Sequence, residues 1–172
     1  MKIVASTKLT RAQRSMMESR VYGQTSNVVF TEAETKPLDA EGKKSLLVVC
    51  SSDKGLCGGI HSGLTRAVRR IMEQANSPDL VVIGEKCKAQ LSRSSPEAIK
   101  LTFAGIGKDI PTFADASGIA DQISLLEGDY SSVKIIYNRF VNAQSYEATV
   151  VESFSEEAIL ASGESEPIGV WS

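Results

Sequence analysis

Residues able to do chemistry gather in one stretch of this chain, Ser51-Ser52-Asp53-Lys54-Gly55-Leu56-Cys57-Gly58-Gly59-Ile60-His61-Ser62. Cys57 sits at the start of an expected helix, where the helix dipole lowers a thiol pKa. His61, four residues on, could serve as its base. A nucleophile of that kind also needs a third group to orient the base, and a pocket. Neither shows in the sequence, so the plainer reading is preferred: Cys57 fills a small slot and His61 lies at the surface. Asp53 and Lys54 could be an acid and a base, or a backbone cap and a solvated cation. A third reading is a charged tip on a rigid loop that docks another protein, and contact ranks above catalysis. Glycines at 55, 58 and 59 signal tight backbone geometry. They do not form a phosphate loop, which needs Gly-Lys-Ser/Thr where this chain has Gly59-Ile60-His61, and they miss the Gly-x-Gly-x-x-Gly spacing of a dinucleotide site. Elsewhere Gly105-Ile106-Gly107 reads as a turn, Asp115 as a first-turn helix acid and Arg139 as one half of a surface pair. No paired carboxylates, Ser/His/Asp set or metal-ligand spacing stands out. Neither a cofactor nor a metal is expected.

The elements that must position this loop follow from periodicity. Leu46–Cys50, just before it, is an apolar run that reads as a buried strand, and residues 60–75, just after, read as a helix. Further strands are expected at 80–83, 99–103, 133–137 and 148–151, and further helices at 85–94 and, after Pro111, at 113–126. Strands apolar on both faces, alternating with helices, argue for an α/β fold: a Rossmann-like, mostly parallel sheet with flanking helices, over residues 45–152. Residues 153–172 are acidic and Ser-rich and read as a loop or tail. Residues 23–44, polar and holding Pro37 and Gly42, read as a connecting loop.

Residues 1–22 read as a helix of another kind. Ala5, Leu9, Ala12, Met16 and Ser19 are spaced 4-3-4-3, a narrow coiled-coil seam suited to one partner helix. No second long heptad helix occurs in the chain, so the helix either packs on its own domain or pairs with something outside this sequence. Over residues 1–20 five cations stand against Glu18 alone, whereas residues 146–172 carry six glutamates and no Lys or Arg. A basic N-terminal helix could be a mitochondrial transit peptide or an amphipathic surface helix. Its thin apolar face, without Phe or Trp, speaks against both.

Composition bounds the rest. The 172 residues suffice for one compact domain, and a net charge of −2 gives no general case for nucleic acid. No apolar run reaches the length of a membrane span. Cys50, Cys57 and Cys87 form an odd set without metal spacing, which points to free thiols in a reducing compartment. From these features alone, a small α/β nucleotide-binding or thiol enzyme using the Ser51–Gly59 loop stays open as an alternative. A nucleotide titration discriminates, since the enzyme reading requires saturable binding.

Met1-Lys2-Ile3-Val4-Ala5-Ser6-Thr7-Lys8-Leu9, then Ser52-Asp53-Lys54-Gly55-Leu56-Cys57-Gly58-Gly59-Ile60-His61-Ser62, then Pro111-Thr112-Phe113, resemble the gamma-subunit family of F-type ATP synthases. Asn138-Arg139-Phe140 fits its mitochondrial branch, and Ile106-Gly107-Lys108-Asp109 is similar to fungal forms. The resemblance covers almost the whole chain. It implies a non-catalytic rotor of the central stalk. Two long helices, one from each end of such a chain, form a coiled coil inside a ring of catalytic and non-catalytic subunits. A Rossmann-like foot lies near the small stalk subunits and the membrane rotor ring. The implied place is the matrix side of the mitochondrion inner membrane, peripherally, with no direct membrane span and no nucleic acid. The implied partner-contact residues are Lys2, Lys8, Arg11, Asp53, Lys54, Gly55, Leu56, Cys57 and Gly58, near the acidic lower segment of the catalytic subunits. The chain starts midway along the family's first helix and ends before its long C-terminal helix. It is therefore expected to be a fragment, an incomplete gene model or a degenerate copy that by itself transmits no full torque. No paired-cysteine insertion is seen, so a thiol switch is not expected.

Overall fold

Val, Leu and Ile runs that alternate with amphipathic stretches leave a chain few ways to bury both faces of its strands, and the computed structural model takes one of them. It describes residues 2–32, 44–55, 58–75, 77–106, 111–126, 130–142 and 144–154. The elements are α1 (Lys2–Glu32), β1 (Lys44–Cys50), α2 (Ile60–Gln74), β2 (Asp79–Ile83), α3 (Glu85–Ser94), a 3-10 turn (Pro96–Ala98), β3 (Ile99–Phe103), α4 (Phe113–Ser124), β4 (Tyr130–Asn142) and β5 (Ser145–Phe154). The chain divides into two compact units, with α1 in the first and β1 through β5 in the second.

In the second unit the sheet order is β3-β2-β1-β4-β5. β1 pairs in parallel with β2 and β4, β2 pairs in parallel with β3, and β5 closes the edge antiparallel to β4. Strand side chains alternate between faces. Leu47 and Val49 therefore meet Leu80, Val82, Ile136 and the buried faces of α2 (Leu64, Val68) and α3 (Cys87, Leu91). Leu46, Val48 and Val81 face the other way, against Leu101, Phe103, Ile123, Leu126, Val133 and Ile135. Each fully buried Leu or Val contributes about 1.5–3 kcal/mol of apolar burial, so β1, buried on both faces, is the spine of this unit. The sequence order reverses beside β1, whose neighbours β2 and β4 lie on opposite sides. The loop after β1 leaves the sheet at that switch point, outside the carboxyl ends of the strands.

The mostly parallel sheet with flanking helices is the architecture expected from the residues. Three boundaries differ. α1 does not stop at residue 22: it runs to Glu32, through most of the first half of the expected 23–44 loop. A single Gly23 costs only about 1 kcal/mol in a helix, and no proline intervenes before Pro37. Residues 33–43, and the expected tail beyond Phe154, lie outside the described residues. β4 and β5 also outrun their apolar cores. Past the Cys50–Tyr137 pair, where β1 ends, they pair only with each other as a ribbon, with Asn138 opposite Ala148, Arg139 opposite Glu147 and Phe140 opposite Tyr146. A two-stranded ribbon is half solvated, so its polar residues gave no strand signal. Finally α4 starts at Phe113 as expected, because Thr112 and Asp115 form a reciprocal cap. Asp115 N donates to Thr112 Oγ1 (3.2 Å) and Thr112 N donates to Asp115 Oδ2 (3.0 Å).

α1, taken by itself, is a largely solvated helix. Val4, Leu9 and Met17 are exposed, Met16 is half-buried, and Lys8, Arg11 and Arg14 point into solvent. Arg14 pairs with Glu18 one turn on, at 3.3 Å. An exposed pair of that kind contributes only a few tenths of a kcal/mol.

Candidate functional site

The loop between β1 and α2 is fastened from several sides by short polar contacts. Its first residue, Ser51, follows the half-buried Cys50 and makes a double contact with the next strand. The Ser51 amide donates to Ile83 O at 2.8 Å, and Ser51 Oγ donates to the same oxygen at 2.7 Å. This approach needs Gly84, whose φ is +106°. A Cβ there would lie 2.7 Å from both Ser51 C and Ser52 N, closer than backbone atoms tolerate. Gly84 is thus the hinge between β2 and α3 against which the loop is pressed, and its amide is held by Phe103 O at 2.8 Å.

Asp53 comes next, and its carboxylate turns inward. Oδ1 accepts from the Glu85 amide at 2.9 Å, at the first residue of α3, and Oδ2 accepts from the Gly105 amide at 2.6 Å, just beyond β3. One side chain thereby ties the loops that follow β1, β2 and β3. An anionic acceptor at the first turn of α3 also suits the positive end of the helix dipole. Backbone capping is the reading the geometry supports for Asp53. Lys86 N donates to Ser52 O at 3.4 Å, and the Lys86 ammonium lies beside Gly55, 3.5 Å from where a Cβ would stand.

His61 departs from the expectation of a surface residue. It is 7% exposed, because it sits on the α2 face that carries Leu64, Thr65 and Val68 into the core. Its Nε2 lies 2.9 Å from Lys54 O and 3.5 Å from Ser52 Oγ. A carbonyl can only accept, so Nε2 carries the proton and the ring is held in that tautomer by geometry. Nδ1 is buried and meets no partner among the described residues. The His61 carbonyl accepts from the Cys87 thiol at 3.7 Å, and Thr65 Oγ1 lies 3.6 Å from that sulfur. Asn138, on β4, donates Nδ2–H to Ile60 O at 3.2 Å and so pins the start of α2 to the sheet. Gly58, at φ +65°, makes the left-handed turn into α2, whose N-cap Gly59 supplies no side-chain acceptor.

Of the residues expected at a contact, Asp53, Lys54, Gly55 and Gly58 lie together here, with Lys54 and Gly55 exposed. Lys8 and Arg11 are exposed on α1. Leu56 and Cys57, the Lys2 side chain, and with them the Cys57–His61 pairing, lie outside what is described. Sequence reasoning did not assign Gly84, Asn138 or the brace role of His61. Asn138 carried a usable signal, since asparagine is depleted in strands. Gly84, between an apolar run and a helix, carried another. Two groups below the loop have shifted acidities. Burial pushes the Cys50 thiol up to about 11, which favours the protonated thiol over the nucleophilic thiolate. Burial, helped by the bond from its hydroxyl to Asp79 Oδ2 (2.8 Å), raises Tyr130 to about 12. Among the described residues no cluster of three His, Cys, Asp or Glu could hold a metal, and no helix is long and apolar enough to cross a membrane.

A Rossmann-like sheet with a tightly braced, charge-tipped loop at its switch point, preceded in sequence by a long helix, defines an α/β protein. The family model described as ATP synthase matches residues 1–167, and the chain belongs to that family. It is 50% identical over 164 residues to the mitochondrial ATP synthase subunit gamma of Yarrowia lipolytica, covering 92% of this chain and 55% of that protein. It is 42% identical over 166 residues to the corresponding subunit of Saccharomyces cerevisiae, covering 92% and 53%. Among solved structures it is similar to a chain of the Tetrahymena thermophila mitochondrial ATP synthase central stalk and c-ring, with a TM-score of 0.76 and 29% identity over 99% of this chain and 78% of that one. The chain spans about half the length of the curated relatives it matches.

Proposed function

We propose that this chain serves in the central-stalk rotor of a mitochondrial F-type ATP synthase, as part of a gamma subunit that performs no chemistry itself. The observation that carries the reading is the 50% identity to a gamma subunit across 92% of the chain, joined to a fold similar to a solved central stalk. Its partners are the catalytic and non-catalytic ring subunits, the small stalk subunits and the membrane rotor ring. Its place is the matrix face of the inner membrane, peripherally. In this role α1 belongs to the shaft and the sheet unit to the foot. Rotation driven by proton flow presents an asymmetric shaft to each catalytic subunit in turn and favours a different nucleotide affinity in each. This is differential binding to conformational states. Lys2, Lys8, Arg11 and Lys54 supply cations toward acidic ring surfaces. The Asp53–Gly58 turn, with Leu56 and Cys57, supplies the contact loop.

The test is capture of the endogenous protein from gently solubilised mitochondria, with partners identified by mass spectrometry. Recovery with the catalytic and stalk subunits of ATP synthase is expected. Recovery as a lone soluble monomer overturns the proposal.

A further inference from the structure

We infer that His61 is a positioning residue that sets the main chain of Lys54, so that the contact made by the loop depends on a buried imidazole that never touches the partner. The inference rests on the contact reading of Lys54 given above. It comes from one convergence in the structure. The imidazole is buried in the core face of α2, yet its protonated nitrogen is aimed away from the core, at Lys54 O 2.9 Å off. The same ring reaches Ser52 Oγ at 3.5 Å, and that hydroxyl also lies 3.5 Å from Lys54 O. The preceding residue, Asp53, is held by two amides on other elements, at 2.9 and 2.6 Å. The Lys54 carbonyl and the side chain of the residue before it are therefore held by residues outside the loop tip. α2 is in turn held by Asn138 through Ile60 O and by Cys87 through the His61 carbonyl. The position of a flexible four-carbon cation is thus decided at its backbone. A contact built on a held backbone loses less conformational entropy when it forms than one built on a mobile loop.

The geometry singles out a conservative replacement. A glutamine amide nitrogen can stand where Nε2 stands and donate to Lys54 O, whereas the shorter asparagine amide falls short of it. Both are polar, and asparagine is the poorer helix former by only a few tenths of a kcal/mol. The experiment places this chain in the matching segment of the Yarrowia lipolytica gamma subunit within the assembled synthase. It measures proton-driven ATP synthesis against salt for K54Q, H61Q, H61N and the double variants. K54Q is expected to lower coupled synthesis by up to about fivefold at low salt, the scale of one exposed ion pair. H61N is expected to lower it comparably and H61Q much less. H61N added to K54Q is expected to cost nothing further, because the position it sets no longer bears a charge. Additive losses, or equal losses from H61Q and H61N, overturn the inference and leave the contact reading standing. A silent K54Q overturns the contact reading, and the inference with it. Should H61N fail to assemble, amide exchange in the 172-residue chain decides: exchange at Gly55 rises in H61N and not in H61Q, and equal exchange in the two overturns the inference.

Discussion

Asp53 offers the sharpest separation between a brace and a contact. Its carboxylate accepts two backbone amides, Glu85 N at 2.9 Å and Gly105 N at 2.6 Å. Hydrogen bonds to a charged acceptor contribute about 1.5–3 kcal/mol each when buried. These lie in an exposed setting where water can replace a lost acceptor, so the lower end applies. Asp53→Ala should then cost about 2–3 kcal/mol in all. Asp53→Asn should cost about half of that, since its amide oxygen keeps one bond while its NH2 group opposes the other N–H. For a unit of this size each kcal/mol lowers Tm by about 3–6 °C, so the alanine variant should melt roughly 6–18 °C lower. Urea and thermal unfolding followed by circular dichroism give the energies, and hydrogen exchange at the Glu85 and Gly105 amides gives the location. If Asp53→Ala changes stability by less than about 0.5 kcal/mol and both amides keep their protection, the brace argument is wrong. An accompanying loss of ATP synthesis would then make the carboxylate a direct contact.

Other perturbations test other links. Gly84→Ala combines a positive φ with a Cβ 2.7 Å from Ser51 C and Ser52 N. It should destabilise by about 2–5 kcal/mol, and a loss under 1 kcal/mol in a denaturant titration would show the β2–α3 turn to be pliable. Thr112→Ala removes the α4 capping box and should cost about 1 kcal/mol, read as a lower urea midpoint at unchanged slope. Stability should also fall in alkali. Burial raises the folded-state pKa of Cys50 from 9.0 to about 11 and that of Tyr130 from 10.0 to about 12. The fold favours their protonated forms, so this contribution is complete below pH 9 and is lost as pH rises through 11 and 12. Tyr130→Phe should flatten the upper part of that decline in a pH series of unfolding midpoints, and an unaltered profile would refute the assignment.

Much of the fold was legible because its signals are local. β1 and β2 are apolar on both faces, α2 and α3 carry apolar stripes at helical spacing, and Pro111 with the first-turn Asp115 marks the start of α4. Boundaries failed where local signals were weak. Gly23 did not stop α1, since one unfavourable residue cannot outweigh the helix on either side of it. The polar halves of β4 and β5 exist only because each strand supplies the other's hydrogen bonds. The site was legible as a place and less so as a set of roles. The glycines and charges marked the loop, yet nothing in the spacing showed that Asp53 turns inward or that His61 is buried.

The residue pattern by itself determined that this chain alternates strands and helices, carries a basic helix ahead of them, and holds a family-specific loop at 52–62, all properties of short windows. Only the tertiary structure decided that β4 inserts beside β1, that β5 turns antiparallel at the edge, and that Asp53 reaches amides 32 and 52 residues away. Those outcomes depend on pairing between distant segments. Their free energy comes from burying both faces of β1 at once, and no window of sequence contains both partners.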